Sequence, residues 1–221
     1  MAGLINFDHV SAGLALADFD SAAAREQMAP VPRGWQQRDT PPTPAAVMIV
    51  IFADGRGRLN LVLTLRNAAL RGHSGQVSFP GGRQDPEDAS LAATARRETI
   101  EEIGIPGDDL QILGELPCLY IPASHFEVRP IVARFDGLPT FAPNPAEVAD
   151  VFCFGLDELL QPAYKRVERR QIRGVDVRVP YYAVREHKVW GATAIMLSEF
   201  EGRLRRVLPQ QALHAIAAAK L

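Results

Sequence analysis

The segment Arg97-Glu98-Thr99-Ile100-Glu101-Glu102-Ile103-Gly104-Ile105 crowds three carboxylates into one short stretch. On a helix Glu98 stands at i,i+4 to Glu102 and i,i+3 to Glu101, so the three side chains fan over an arc of roughly 100°. Like charges at those spacings each cost a helix about 0.2–0.5 kcal/mol, which a hard divalent cation with oxygen ligands offsets. The same periodicity leaves Leu91, Ala92, Ala95, Thr99 and Ile103 on a small, mostly apolar side. A chain carrying this helix must lay one side on a sheet and turn the carboxylates to a cleft. Gly104-Ile105-Pro106 is a strong stop. Asp85 or Asp88 is the expected N-cap, with Pro86 suited to the first helical position if Asp85 caps. The competing reading is a solvated acidic face, in which Arg97 pairs with Glu101 at i,i+4.

No His or Cys accompanies the cluster, and an all-oxygen ligand set favours Mg²⁺ or Mn²⁺. Glu98 and Glu102 are the expected ligands. Glu101 is either a third ligand or the base that orients a water, and the sequence leaves both open. A metal held this way can polarise a pyrophosphate and deliver an activated water, giving hydrolysis of a P–O bond.

The rest of the chain sets bounds on that chemistry. With 221 residues, 47% hydrophobic and 23% charged, it is long enough for one domain with a substantial core. A net charge of −2 supplies no field for nucleic acid. Cys118 and Cys153 each sit in an apolar, strand-like run without ligand spacing and read as reduced thiols. No stretch approaches about 18 apolar residues and no signal-peptide pattern opens the chain, so a cytoplasmic protein without membrane contact is expected.

Residues 7–28 read as one or two helices outside the main fold, and 29–44, with five prolines, as an extended linker in which Trp35 could pack on the domain. The expected division is therefore 1–44 and 45–221, with an arm that could swap onto a second copy to give a homodimer. Strands are expected at 45–52 and 59–66, joined as a hairpin by Asp54-Gly55-Arg56-Gly57, then at 76–79, 110–119, 126–135 and 151–156. A short helix at 157–160, a late hairpin from 175–184 and 188–190, and a closing helix at 192–208 complete the order. Strands, helix, strands and helix in that sequence suggest an α/β/α sandwich built on a mixed sheet.

The segment from Gly82 to Ile105 resembles the Nudix box, G-x5-E-x7-R-E-U-x-E-E-x-G-U with U aliphatic. Gly82, Arg97, Glu98, Glu101, Glu102, Gly104 and Ile105 fit it. Asp88 stands where the first Glu is expected, eight residues rather than seven separate it from Arg97, and Thr99 replaces an aliphatic residue. Upstream, Leu63-Thr64-Leu65-Arg66, Arg71, Gly75 and Phe79-Pro80-Gly81-Gly82 resemble the L-T-x-R-[SA]-x3-R-x3-G-x3-F-P-G-G motif of the coenzyme A pyrophosphatase branch, with Asn67 the one departure.

This resemblance implies the Nudix fold and cleavage of the diphosphate of coenzyme A or its thioesters to adenosine 3′,5′-bisphosphate and a phosphopantetheine. It implies that Arg97 holds the loop and glutamates in place and that the Gly81-Gly82 turn lends a carbonyl to the metal, which puts Gly82 in the ligand set. Arg66 and Arg71 are candidates for bidentate phosphate contacts, and Gln76 for a further substrate contact or a strand-edge role. His73 reads as a loop hydrogen-bonder. Pro143-Asn144-Pro145-Ala146-Glu147-Val148 resembles a branch element that would bring Glu147 near the metal as an additional acid. Residues 120–126 resemble one that shapes the pocket. Lys165, Arg166, Arg169, Arg170 and Arg173 read as a solvated loop, with a 3′-phosphate clamp the alternative. The same chemistry on ADP-ribose or a dinucleotide, and a nucleotide sensor that does not cleave, are the rival functions.

Overall fold

A computed structural model of the chain describes residues 3–31, 39–68, 75–172 and 174–219. Trp35, Arg71, His73 and Arg173 lie outside the described residues. The elements run α1 (Phe7–Leu14), α2 (Ser21–Glu26), β1 (Thr43–Ala53), β2 (Leu59–Arg66), β3 (Val77–Ser78), β4 (Gly81–Arg83) and α3 (Leu91–Ile103), followed by β5 (Leu110–Glu115), β6 (Leu119–Ile121), β7 (Phe126–Phe135), β8 (Val148–Gly155) and α4 (Leu156–Leu159). After these come β9 (Lys165–Ile172), β10 (Val175–Val184), β11 (His187–Trp190), α5 (Gly191–Val207) and α6 (Gln210–Ala218).

Among the described residues the main sheet has eight strands in the path β3-β2-β1-β7-β5, with β8 beside β2, β4 beside β1 and β6 beside β7. β1 lies parallel to β7 and antiparallel to β2 and β4, so the sheet is mixed. The side-chain period of two splits the central strand between two layers. Ala45, Ile49 and Ile51 join the core containing Met196, Leu197, Phe200 and Leu204 of α5. Ala46, Met48, Val50 and Phe52 join the core containing Ala95 and Ile103 of α3. This is the α/β/α sandwich with a mixed sheet, and α3 lays its small side on β1 as its periodicity requires. Thr99, fully buried on that side, satisfies its hydroxyl by donating to the Ala95 carbonyl at 2.7 Å.

Several elements differ from the sequence expectation. The box helix starts at Leu91 with Ser90 as N-cap, its hydroxyl accepting from the Ala93 amide at 3.1 Å. Neither Asp85 nor Asp88 caps it, because Arg97 captures the Asp88 carboxylate. The strand expected at 110–119 is broken into β5 and β6 around Pro117, which has no N–H for a ladder. Lys165, Arg166, Arg169 and Arg170 of the basic run lie on strand β9, paired antiparallel with β10, and not on a solvated loop. Helix α6 was not anticipated.

The N-terminal helices do not stand outside the fold. Ile5, Val10 and Met28 enter the α5-side core, and a fully buried carboxylate anchors them. Glu199 of α5 accepts from Ser21 Oγ at 2.7 Å, Arg25 Nε at 2.6 Å and Arg203 Nε at 3.1 Å. Arg203 in turn donates to the Gly13 and Leu16 carbonyls. The arm thus docks on its own chain. Among the described residues no helix is long and apolar enough to cross a membrane.

Removing one partner of a buried ion network leaves the others unpaired in low dielectric, at a cost of about 3–5 kcal/mol. Glu199→Gln, which keeps the shape and strands Arg25 and Arg203, is therefore expected to lose about 3 kcal/mol in urea unfolding. A change within about 0.5 kcal/mol, the range of an ordinary surface substitution, would remove this anchor.

Candidate active site

Strand β4 brings Gly81 and Gly82 against Val47 and Ala46 of β1. Gly81 has φ 156, and a Cβ there would lie 2.4 Å from the Ala46 carbonyl oxygen. A Cβ on Gly82 would fall 2.3 Å from Glu98 Oε1, so the Glu98 carboxylate is pressed directly on glycine backbone. The paired glycines are what lets α3 approach the sheet edge this closely.

Arg97 holds that approach together. Its Nε and Nη2 grip both Asp88 oxygens at 3.1 and 3.0 Å, Nη2 also donates to the Arg83 carbonyl at 3.1 Å, and Nη1 reaches Glu98 at 2.9 Å and Glu101 at 3.1 Å. These charge-assisted bonds hold the Asp88 carboxyl well below the usual range. Despite the extra residue in the spacing, Asp88 still meets Arg97. Its two oxygens face that guanidinium, not the glutamate cluster.

The three glutamates are not equivalent. Glu102 is 2% exposed, and its Oε2 is buried without a hydrogen-bond partner, while Arg66 Nη1 stands 3.4 Å from Oε1. Burial pushes its carboxyl up to about 7, with the charges of Glu98 and Glu147 adding to the effect and Arg66 opposing it. Glu98 is also raised by burial, against the pull of Arg97. Glu101, 53% exposed, turns to Arg97 on the solvent flank. Among the described residues no three acidic side chains form a ready cage for a metal. Glu98 and Glu102 nevertheless fit a divalent cation: two desolvated carboxylates, one oxygen orphaned, lie beside a glycine that leaves backbone accessible.

Glu147 joins this pair by a route that periodicity does not reveal. The last carbonyls of α3 need partners, and the loop before β8 supplies them: the Asn144 amide donates to the Glu102 carbonyl and the Ala142 amide to the Ile103 carbonyl, both at 2.9 Å. Asn67, the departure from the upstream motif, fixes the same loop, its amide donating to the Glu147 carbonyl at 2.7 Å and its side chain to the Pro145 carbonyl at 2.8 Å.

Glu98, Glu102, Glu147, Arg66, Gln76 and Gly82 all line one cleft of about 870 Å³. Residues 119–124 and Phe126 line it too, as expected of the 120–126 stretch. Within that stretch His125, at φ 60 and buried, has a bridging role that the sequence did not reveal. Its Nδ1 accepts from the Tyr120 hydroxyl at 2.9 Å and its Nε2 donates to the Thr40 carbonyl at 3.0 Å, tying the cleft wall to the segment before β1. In the basic run, Lys165 pairs with Glu201, Arg169 with Asp176 and Arg170 with Glu168.

The NUDIX domain family profile matches residues 42–174. The chain belongs to the Nudix hydrolase family. It is 40% identical over 158 residues to "Uncharacterized Nudix hydrolase NudL" of Photorhabdus laumondii, covering 70% of this chain and 81% of that protein. The protein of the same name from Pectobacterium atrosepticum is 42% identical over 158 residues, covering 70% and 79%. Among solved structures, the MutT protein from Methanosarcina mazei Go1 aligns at TM-score 0.48 and 17% identity over 77% of this chain and 97% of that one, a likeness that carries no argument about substrate.

The Glu102 carboxyl, at about 7 in the fold against an ordinary 4.5, binds its proton more tightly folded than unfolded. Its contribution is fully present below about pH 4.5 and is lost as pH rises through about 7, a loss on the order of 3 kcal/mol. In chelator, the native protein should lose more stability between pH 5 and 8 than Glu102→Gln does. Parallel urea-midpoint curves for the two proteins would show that Glu102 is not desolvated.

Proposed function

We propose that this chain hydrolyses the diphosphate of coenzyme A or its thioesters with Mg²⁺ or Mn²⁺, releasing adenosine 3′,5′-bisphosphate and (acyl-)phosphopantetheine. The observation that carries this reading is the meeting of the two sequence signatures in one cleft, Arg66 of the upstream motif standing 3.4 Å from Glu102 of the box.

Glu98 and Glu102, with the Gly82 carbonyl, are the groups that would hold the cation, which when bound would supply polarisation of the diphosphate and a more acidic water. Arg97 is a positioning residue: it ties the 83–88 loop to α3 through Asp88 and the Arg83 carbonyl and fixes Glu98 beside it. Arg66, 3.4 Å from Glu102, is placed to offer its guanidinium to the diphosphate in a bidentate contact. Glu101 and Glu147 are the carboxylates left to orient the attacking water. The engagement of Glu101 by Arg97 favours Glu147, which faces the cleft. Gln76 lines the same space and is a proposed substrate contact; Arg71 is carried by the motif alone.

The rival substrates, ADP-ribose and dinucleotides, share the reacting bond and differ in what flanks it. A sensor that does not cleave is disfavoured by the intact Glu98, Glu101 and Glu102. Incubation with Mg²⁺ or Mn²⁺ and coenzyme A, acetyl-coenzyme A, ADP-ribose and NADH, with products weighed by mass spectrometry, tests the reading. Adenosine 3′,5′-bisphosphate is the expected product, and its absence beside cleaved ADP-ribose would overturn the assignment.

Glu98→Gln and Glu102→Gln should each lower kcat by roughly a hundredfold to a thousandfold, the range for losing one group that stabilises transition-state charge, with the circular dichroism spectrum unchanged. Full activity in both variants would remove the proposed cation site.

A further inference from the structure

We propose that a recess beside the cleft, walled by Arg170 and Lys188, binds a phosphate monoester carried by the substrate, a contact separate from the one made to the diphosphate. This inference rests on the function proposed above for the identity of that group, which in coenzyme A is the 3′-phosphate of the ribose.

The recess has a volume of about 380 Å³, and Gln76, Arg170, Glu186, His187, Lys188 and Trp190 are among the residues that line it. Gln76, Val77 and Trp190 line the carboxylate cleft as well, so the two spaces adjoin. The strand that separates them reaches Arg66, whose backbone amide donates to the Gln76 carbonyl at 3.0 Å. A coenzyme A nucleotide has the matching layout, its diphosphate and its monoester being borne by one ribose. ADP-ribose and NADH carry the diphosphate alone.

Strand register brings the basic side chains together. Successive residues of a strand point to opposite faces. β9 pairs with β10 at Arg170↔Val177 and Glu168↔Val179, and β10 with β11 at Tyr181↔Trp190 and Ala183↔Lys188, which puts Glu168, Arg170, Lys188 and Trp190 on one face of their three-stranded sheet. There the Arg170 guanidinium lies 4.6 Å from the centre of the Trp190 ring and the Lys188 ammonium 5.3 Å from that of Tyr181. Glu168 accepts from both Arg170 Nε and Lys188 Nζ, so two cations share one carboxylate. Among the described residues no acceptor is bonded to the two terminal amino groups of Arg170. Stacked on an indole and held through Nε, they form a preorganised fork for two phosphate oxygens.

The other ionisable groups of the recess are exposed Glu186 and His187. The Nε2 of His187 is buried without a hydrogen-bond partner, Glu186 and Asp150 standing off at 3.6 and 3.8 Å. A polar atom left in that condition is infrequent and is expected where a ligand completes a site. Of the described members of the basic run, Arg170 alone lines this space; Arg169 falls on the opposite face of β9 and pairs with Asp176.

Losing the hydrogen bonds of a guanidinium to a charged group weakens binding on the order of tenfold to a hundredfold. Calorimetric titration in chelator with adenosine 3′,5′-bisphosphate, adenosine 5′-monophosphate and inorganic phosphate reads the recess without turnover. Steady-state kinetics with coenzyme A and 3′-dephospho-coenzyme A at saturating Mg²⁺ read it during turnover. The bisphosphate should bind about tenfold or more tighter than the 5′-monophosphate, and coenzyme A should show a KM lower than the dephospho form by a similar factor, with kcat nearly level. Arg170→Gln should erase both differences and Lys188→Gln should reduce them. Arg169→Gln, which removes the same charge from the other face, should leave them intact. Equal affinities, equal KM values, or changes of the same size in Arg170→Gln and Arg169→Gln would overturn the inference and leave the proposed function standing. Inorganic phosphate bound as tightly as the bisphosphate would overturn it too, by assigning the recess to a free ion. Cleavage of ADP-ribose and of no coenzyme A compound would overturn the function, and the titration then decides by itself whether the recess takes a phosphate monoester.

Discussion

The guanidinium of Arg97 is the joint on which the cleft depends. One planar group grips both oxygens of Asp88, the Arg83 carbonyl and the Glu98 and Glu101 carboxylates, so it fixes the loop from β4, the start of α3 and the charged side of that helix at once. Five directed donors in a rigid fork suit this task, and a lysine ammonium could not reproduce it. The same engagement sorts the glutamates. Glu101 is drawn to the solvent flank, while Glu98 and Glu102 are left to the desolvated interior, where burial raises their proton affinity.

Two layers of packing make the joint possible. The central strand β1 alternates its side chains between the α3 and α5 cores, and parallel pairing with β7 buries it on both faces. Gly81 and Gly82 then remove the side chains that would hold α3 away from the sheet edge. Carboxylates enter a space from which water is partly excluded, and an orphaned oxygen on Glu102 is the residue of that compromise. Such unsatisfied buried groups are infrequent and are expected where a ligand completes the site.

The flanking segments do more than extend the domain. Buried Glu199 recruits Ser21, Arg25 and Arg203 and so holds the N-terminal helices on α5. Arg25 also reaches the Pro117 and Cys118 carbonyls, and Thr40 reaches His125, so the N-terminal segment fixes the cleft wall from two sides. The cleft wall at 117–125 and the carboxylates of α3 thus have separate supports, Arg25 and His125 for the one and Arg97 for the other.

By itself the sequence determined the chemistry-bearing helix, the strands 59–66, 126–135 and 175–184, and the sandwich they build, because each is written in local periodicity, caps and turns. Tertiary structure decided which carboxylates are buried, that Arg66 meets Glu102 across 36 positions, and that Glu147 stands beside them because Asn144 caps the end of α3. It also decided that Ser90, and not an aspartate, starts the box helix, since Arg97 had already taken Asp88, and that the N-terminal helices dock through Glu199 of the closing helix. The reason is common to all five. Periodicity reports which face of an element is apolar, whereas the partner of a charged side chain is chosen by desolvation and by whichever opposite charge the folded chain brings within reach.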